Sequence, residues 1–165
     1  MSAPDTLHTL QSPEMLRHLD NVTASYARFF NEPLISELTE ENASIAEQLW
    51  RADFVLLSHG GGADPVFNFG NRMALELFEM DYAALTALPS RKSAEPVSQE
   101  ERNHLLAQVT EFGCIDHYRG VRISATGKRF YIENARVWNL YDPEGIYTGQ
   151  AAMFREWTPL EDQPA

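Results

Sequence analysis

The stretch from Arg119 to Phe154 constrains this chain most, because two turns divide it into consecutive β-strands with little freedom of register. A first strand is predicted over about Ile115 to Ser124, and Ala125-Thr126-Gly127 turns it into a second, about Arg129 to Tyr141. Asp142-Pro143-Glu144-Gly145 closes the next hairpin, with Pro where φ is already set and Gly where φ can be positive. The last strand runs from Ile146 to Phe154. All three segments are rich in Val, Ile, Phe, Tyr, Trp and Thr, which suit a pleated, half-buried surface. A lone meander of this size would not be stable, so the rest of the chain is expected to cover its apolar face.

The 165 residues fit one domain with some extra helix and can bury a real core. A net charge of −11 argues against direct binding to a nucleic-acid backbone, which wants clustered Lys and Arg. One cysteine, Cys114, rules out an internal disulfide framework and fits a reducing cytoplasm. The first residues lack the pattern of a signal peptide, and no segment approaches the roughly 20 apolar residues of a membrane span.

Residues 1–12 read as a loose end. Ser12-Pro13-Glu14 starts a helix carrying Met15, Leu19, Val22, Tyr26 and Phe29-Phe30, and Thr39 to Asn42 caps a second helix that ends near Arg51. These two helices, residues 13–52, could pack on the sheet or on a second copy. Phe54 to Ser58 and Val66 to Phe69 form a hairpin, and Asn71 caps a helix through Met80. Tyr82 to Leu88 is a short helical piece, and Pro89 to Pro96 is a loop or single turns. Ser98 to Glu101 is a capping box for a helix whose Leu105, Leu106, Val109 and Phe112 face inward until Gly113.

The order of two strands, helical pieces and three strands, with Asn71 to Phe78 after the second strand and turns at Thr126 to Arg129 and Asp142 to Gly145, resembles a PAS domain. The segments Leu88 to Pro96, Tyr118 to Phe130 and Ala135 to Leu140 are similar to the MEKHLA family, which is PAS-related; the likeness covers about Leu34 to Thr158. It implies an α+β fold: a PAS-like five-stranded antiparallel sheet with helices across one face, over residues 53–158, with a short tail at 159–165. It also implies a sensor or ligand-binding role whose ligand is not settled.

On such a sheet, alternate side chains of the concave face line a pocket for a small organic molecule. Gln150, Ala152 and Phe154 share one face of the last strand, and Ile132, Asn134, Arg136 and Trp138 share one face of the strand before it. Either this face holds a cavity, or a helix simply fills it and the domain serves protein interaction, as a homodimer built through Met15, Leu19, Tyr26 and Phe29. Arg91 and Lys92, which Arg119, Arg122, Lys128 and Arg129 could join across the sheet edge, form a compact basic spot suited to a carboxylate or phosphate, against the plainer reading of surface ion pairs. PAS domains that sense blue light through flavin hold a reactive Cys where this chain has Pro89 to Ser93, so flavin–thiol photochemistry is not expected. His104 falls on the polar side of its helix, which argues against haem, and no histidine has a partner at metal-ligand spacing. A Ser/His/Asp or paired-carboxylate site cannot be assembled from neighbouring residues, so an enzyme is the weaker class and nothing in the sequence names a reaction.

Overall fold

The protein is described from a computed structural model, which covers residues 9–35 and 44–160. Helix α1 (Pro13–Phe30) is capped by Ser12, whose hydroxyl accepts from the Met15 amide. Helix α2 (Ile45–Trp50) is capped by Ser44, and the cap expected at Thr39 to Asn42 lies outside the described residues. Strands β1 (Val55–Gly60) and β2 (Phe67–Gly70) make the hairpin, followed by α3 (Arg72–Phe78), α4 (Tyr82–Leu85) and a 3₁₀ turn at Ser90–Ser93. Helix α5 (Pro96–Phe112) leads into β3 (Cys114–Ile123), β4 (Arg129–Tyr141), β5 (Tyr147–Phe154) and a short β6 (Glu156–Pro159).

The sheet is antiparallel in the order β2-β1-β5-β4-β3, with β6 added on β4. Asn71 fastens the first hairpin to the helices. Its Nδ2 donates to the carbonyls of Leu49 and Phe54, and its Oδ1 accepts from the amides of Leu56 and Ala74. This one buried side chain thereby joins α2, β1 and α3. Gly149 sits where β1 and β5 come closest, at φ 149°, and a Cβ there would overlap the His59 carbonyl oxygen.

Two cores lie on the two faces of the sheet. One holds Leu57, Phe78, Leu105, Val109, Ile132, Val137 and Phe154, beneath α3 to α5. The other packs Leu19, Val22 and Tyr26 of α1 against Trp138, Leu140 and Met153. Leu19 and Tyr26, expected to be free for a second copy, are thus buried within this chain.

Helix α5 departs from expectation at both ends. It starts at Pro96 with Glu95 as N-cap, upstream of the box at Ser98 to Glu101, and Phe112 points outward with 69% exposure. Leu105 and Val109 are one turn apart and set the buried face; Phe112 lies in the last turn, where Gly113 already swings the chain into β3.

Candidate functional site

Beneath α5 the sheet and helices form a half-open cavity of about 60 Å³. Leu57, Phe67, Phe78, Ile132, Val137 and Phe154 supply apolar wall, and His59, Ser90, Ser93, Arg102, Arg122 and Gln150 supply polar groups. Of the residues expected from sequence, Gln150, Ala152, Phe154 and Arg122 therefore lie together on this cavity.

Asn134, Arg136 and Trp138 do not. The expected sharing of a face with Ile132 fails because β3 and β4 each carry an extra residue at the same level of the sheet. Tyr118 pairs with Ala135, but Ile115 pairs with Val137 and Gly120 with Ile132, and His117 and Asn134 both take positive φ. One extra residue moves every later side chain to the opposite face. Ile132 faces the cavity, and beyond the irregularity Ala135 and Val137 take that side. Trp138 instead lies under α1, Arg136 bonds Tyr26, Glu32 and Asp116, and Asn134 is exposed beside His117 and Glu156.

The basic spot is divided. Arg91 pairs with Asp64 at 3.0 Å on the surface, and Lys92 is exposed. Arg122 is buried, donating to the Val121 carbonyl at 2.8 Å and the Tyr118 hydroxyl at 3.1 Å. Its buried companion is Arg102 of α5, which donates to Ser90 Oγ and to Asn103 Oδ1. Burial, followed by repulsion from Arg122, pulls the Arg102 guanidinium down to about 10, so it stays charged at neutral pH. Sequence reasoning missed Arg102 because it stands in the polar run Glu100 to His104. Its spacing of three to Leu105 and seven to Val109 was the available signal.

The remaining polar groups have assigned work. Gln150 donates to Asn139 Oδ1 at 3.0 Å and Thr110 Oγ1 at 3.2 Å, while Asn139 donates to the Val109 carbonyl, which ties β4 and β5 to α5. His59 Nδ1 donates to the Gly60 carbonyl at 2.8 Å, and burial lowers its pKa. Cys114 packs with the core beneath α1, on the opposite side of the sheet from the cavity, and burial holds its thiol above the ordinary value. His104 is exposed. Among the described residues no group of three or more His, Cys, Asp or Glu side chains could hold a metal, and no helix is long and apolar enough to cross a membrane.

The fold matches solved PAS structures. A PAS domain from Colwellia psychrerythraea superposes with a TM-score of 0.58 at 12% identity, covering 67% of this chain and 92% of that one. The light-state dimer of the fungal blue-light photoreceptor Vivid gives 0.55 at 11% identity, covering 82% and 93%, and an RNA-binding light-oxygen-voltage receptor gives 0.60 at 12%, covering 74% and 35%. Such low identities establish the architecture alone: this is a PAS-like α+β domain.

Sequence comparison narrows the class. Residues 16–159 match the MEKHLA domain, and the chain belongs to that family. Homeobox-leucine zipper protein HOX29 of Oryza sativa subsp. japonica is 28% identical over 145 residues, and ATHB-9 of Arabidopsis thaliana is 25% identical over 143. The matches take in 84% of this chain but only 16% and 17% of those relatives, so the chain spans about one-sixth of their length.

Proposed function

We propose that this MEKHLA domain is a cytoplasmic sensor module that binds a small organic molecule between its sheet and α5. The observation that carries this reading is the half-open cavity of about 60 Å³, whose apolar walls meet a few convergent polar side chains. That combination is the usual make-up of a ligand site, although cavities for drug-sized ligands run to about 300–1,000 Å³. The occupant is therefore small, and a flavin would require the core to open.

Native mass spectrometry of the purified protein, with absorption from the near ultraviolet to the visible, tests the reading. A bound mass that dissociates on denaturation, and that is lost when Ala152→Leu fills the cavity, is the expected result. A bare chain that shows no thermal shift with small organic compounds would end it.

A second reading, an interaction module that forms a homodimer, is favoured by the exposure of Phe112 (69%) and Ile146 (60%). Phe112 borders a surface groove with Phe29, Tyr141 and Gly145, and a second copy of the chain is the partner this reading names. Sedimentation equilibrium should then show a dimer that Phe112→Asp dissociates; a monomer at all concentrations would sink it. Neither reading involves contact with nucleic acid, in keeping with the net charge of −11.

A further inference from the structure

Two arginines on one small cavity set an unusual electrostatic condition. Arg102 is 5% exposed and Arg122 is 8% exposed. Among the described residues, neither has a carboxylate within ion-pair distance. Glu101 reaches Arg122 only through the Tyr118 hydroxyl, which accepts from the arginine and donates to Glu101 Oε2 at 3.0 Å. Asp64 is engaged by Arg91.

A guanidinium has five N–H donors and cannot release its charge at neutral pH. Protein acceptors take two bonds from Arg102 and two from Arg122 among the described residues. Two buried like charges repel each other, and each loses hydration; an anion between them would offset both costs.

We propose that the cavity takes a short-chain organic carboxylate, its carboxylate held by Arg102 and Arg122 and its hydrocarbon tail set against Phe78, Ile132, Val137 and Phe154. This rests on the ligand-binding reading above and assigns the chemical class of the ligand. Arg is the side chain suited to carboxylate geometry, through paired charge-assisted N–H donors. The hydroxyls of Ser90 and Ser93 stand on the same lining, and Ser90 already holds Arg102 in place.

Size limits the tail. An apolar cavity of about 150 Å³ accommodates the six heavy atoms of benzene, so one of about 60 Å³ suits an acid no larger than acetate, with four. Inorganic phosphate fits less well, because its oxygens need donors on all sides and Phe78, Ile132 and Phe154 offer none.

Isothermal titration calorimetry on the full chain with sodium acetate, acetamide and sodium phosphate tests the proposal. Acetate should bind with 1:1 stoichiometry, and acetamide, of the same shape without the charge, at least about tenfold more weakly. Arg102→Met and Arg122→Met should each weaken acetate by at least about tenfold and leave acetamide unchanged. Arg102→Met keeps the apolar stem, and its ligand-free melting temperature should not fall below that of the parent chain, which preserves the test should Arg122→Met fail to fold.

Equal binding of acetate and acetamide, or acetate binding that survives Arg102→Met, would overturn the anion assignment while leaving a ligand cavity. Tighter binding of phosphate than of acetate would overturn the carboxylate class. Failure of acetate, acetamide and phosphate alike would overturn the proposal, and an absent copurifying mass in the same preparation would show that the ligand-binding reading fails with it.

Discussion

The indole N–H of Trp138 on β4 donates to the Val22 carbonyl on α1 at 3.2 Å, across 116 residues of sequence. The sheet face opposite the cavity is therefore closed by the chain's own N-terminal helix. Trp138→Phe keeps most of the packing but removes the indole donor, leaving the Val22 carbonyl with its bond inside α1 alone, and should cost about 0.5–1.5 kcal/mol in urea unfolding. Removing residues 1–33 would bare Trp138, Leu140 and Met153, so loss of cooperative unfolding is expected rather than a clean monomer. A truncated chain that melts as sharply as the parent would contradict the docking of α1.

Asn71 makes four buried hydrogen bonds to backbone groups of Leu49, Phe54, Leu56 and Ala74. Asn71→Ala removes all four bonds together and should destabilise by about 3 kcal/mol or more. A loss below about 1 kcal/mol in chemical denaturation would show that water replaces the amide.

Acid should weaken the fold before its carboxylates titrate. His18 bonds Ser58 at 2.8 Å, and burial lowers its pKa from 6.5 to about 4. The unfolded chain thus binds the proton more readily than the folded one, so this contribution is complete above pH 6.5 and is lost as pH falls toward 4. It amounts to roughly 3 kcal/mol at most. His59 shifts in the same direction, again chiefly through burial. Urea midpoints at pH 7.5 and pH 5 should differ less in His18→Gln than in the parent; an unchanged difference would remove His18 from the account.

Arg91 and Asp64 form a pair that is about half exposed on each side. Arg91→Ala should therefore change stability by no more than about 1 kcal/mol, which a thermal melt would detect if wrong. Acetate affinity should also change far less than in Arg102→Met, because the Arg91 charge is met by Asp64 at the surface.

The meander and its turns were legible because Asp142-Pro143-Glu144-Gly145 and the β-branched and aromatic runs act locally. The face of Trp138 was not, because alternation counted from Ile132 runs through Asn134 without interruption in one dimension. Only the left-handed backbone at His117 and Asn134 breaks it. An Asn within an otherwise apolar strand was the one hint, since Asn tolerates that conformation better than most residues. Arg102 was hidden for a different reason: its neighbours Glu101, Asn103 and His104 are exposed, so the local composition describes the outside of α5.

The paired irregularity also limits how this chain could change in length. Each of β3 and β4 works as two half-strands of opposite phase, one carrying Tyr118 and Ile132 to the cavity, the other carrying Trp138 to α1. Deleting Asn134 alone would take the extra residue out of β4 while β3 kept its own beside His117, so the pairing on one side of this level would have to slip by one residue. Insertions and deletions at this level of the sheet should be selected against even though both residues are exposed, whereas the turn at Asp142 to Gly145 could lengthen without touching either core.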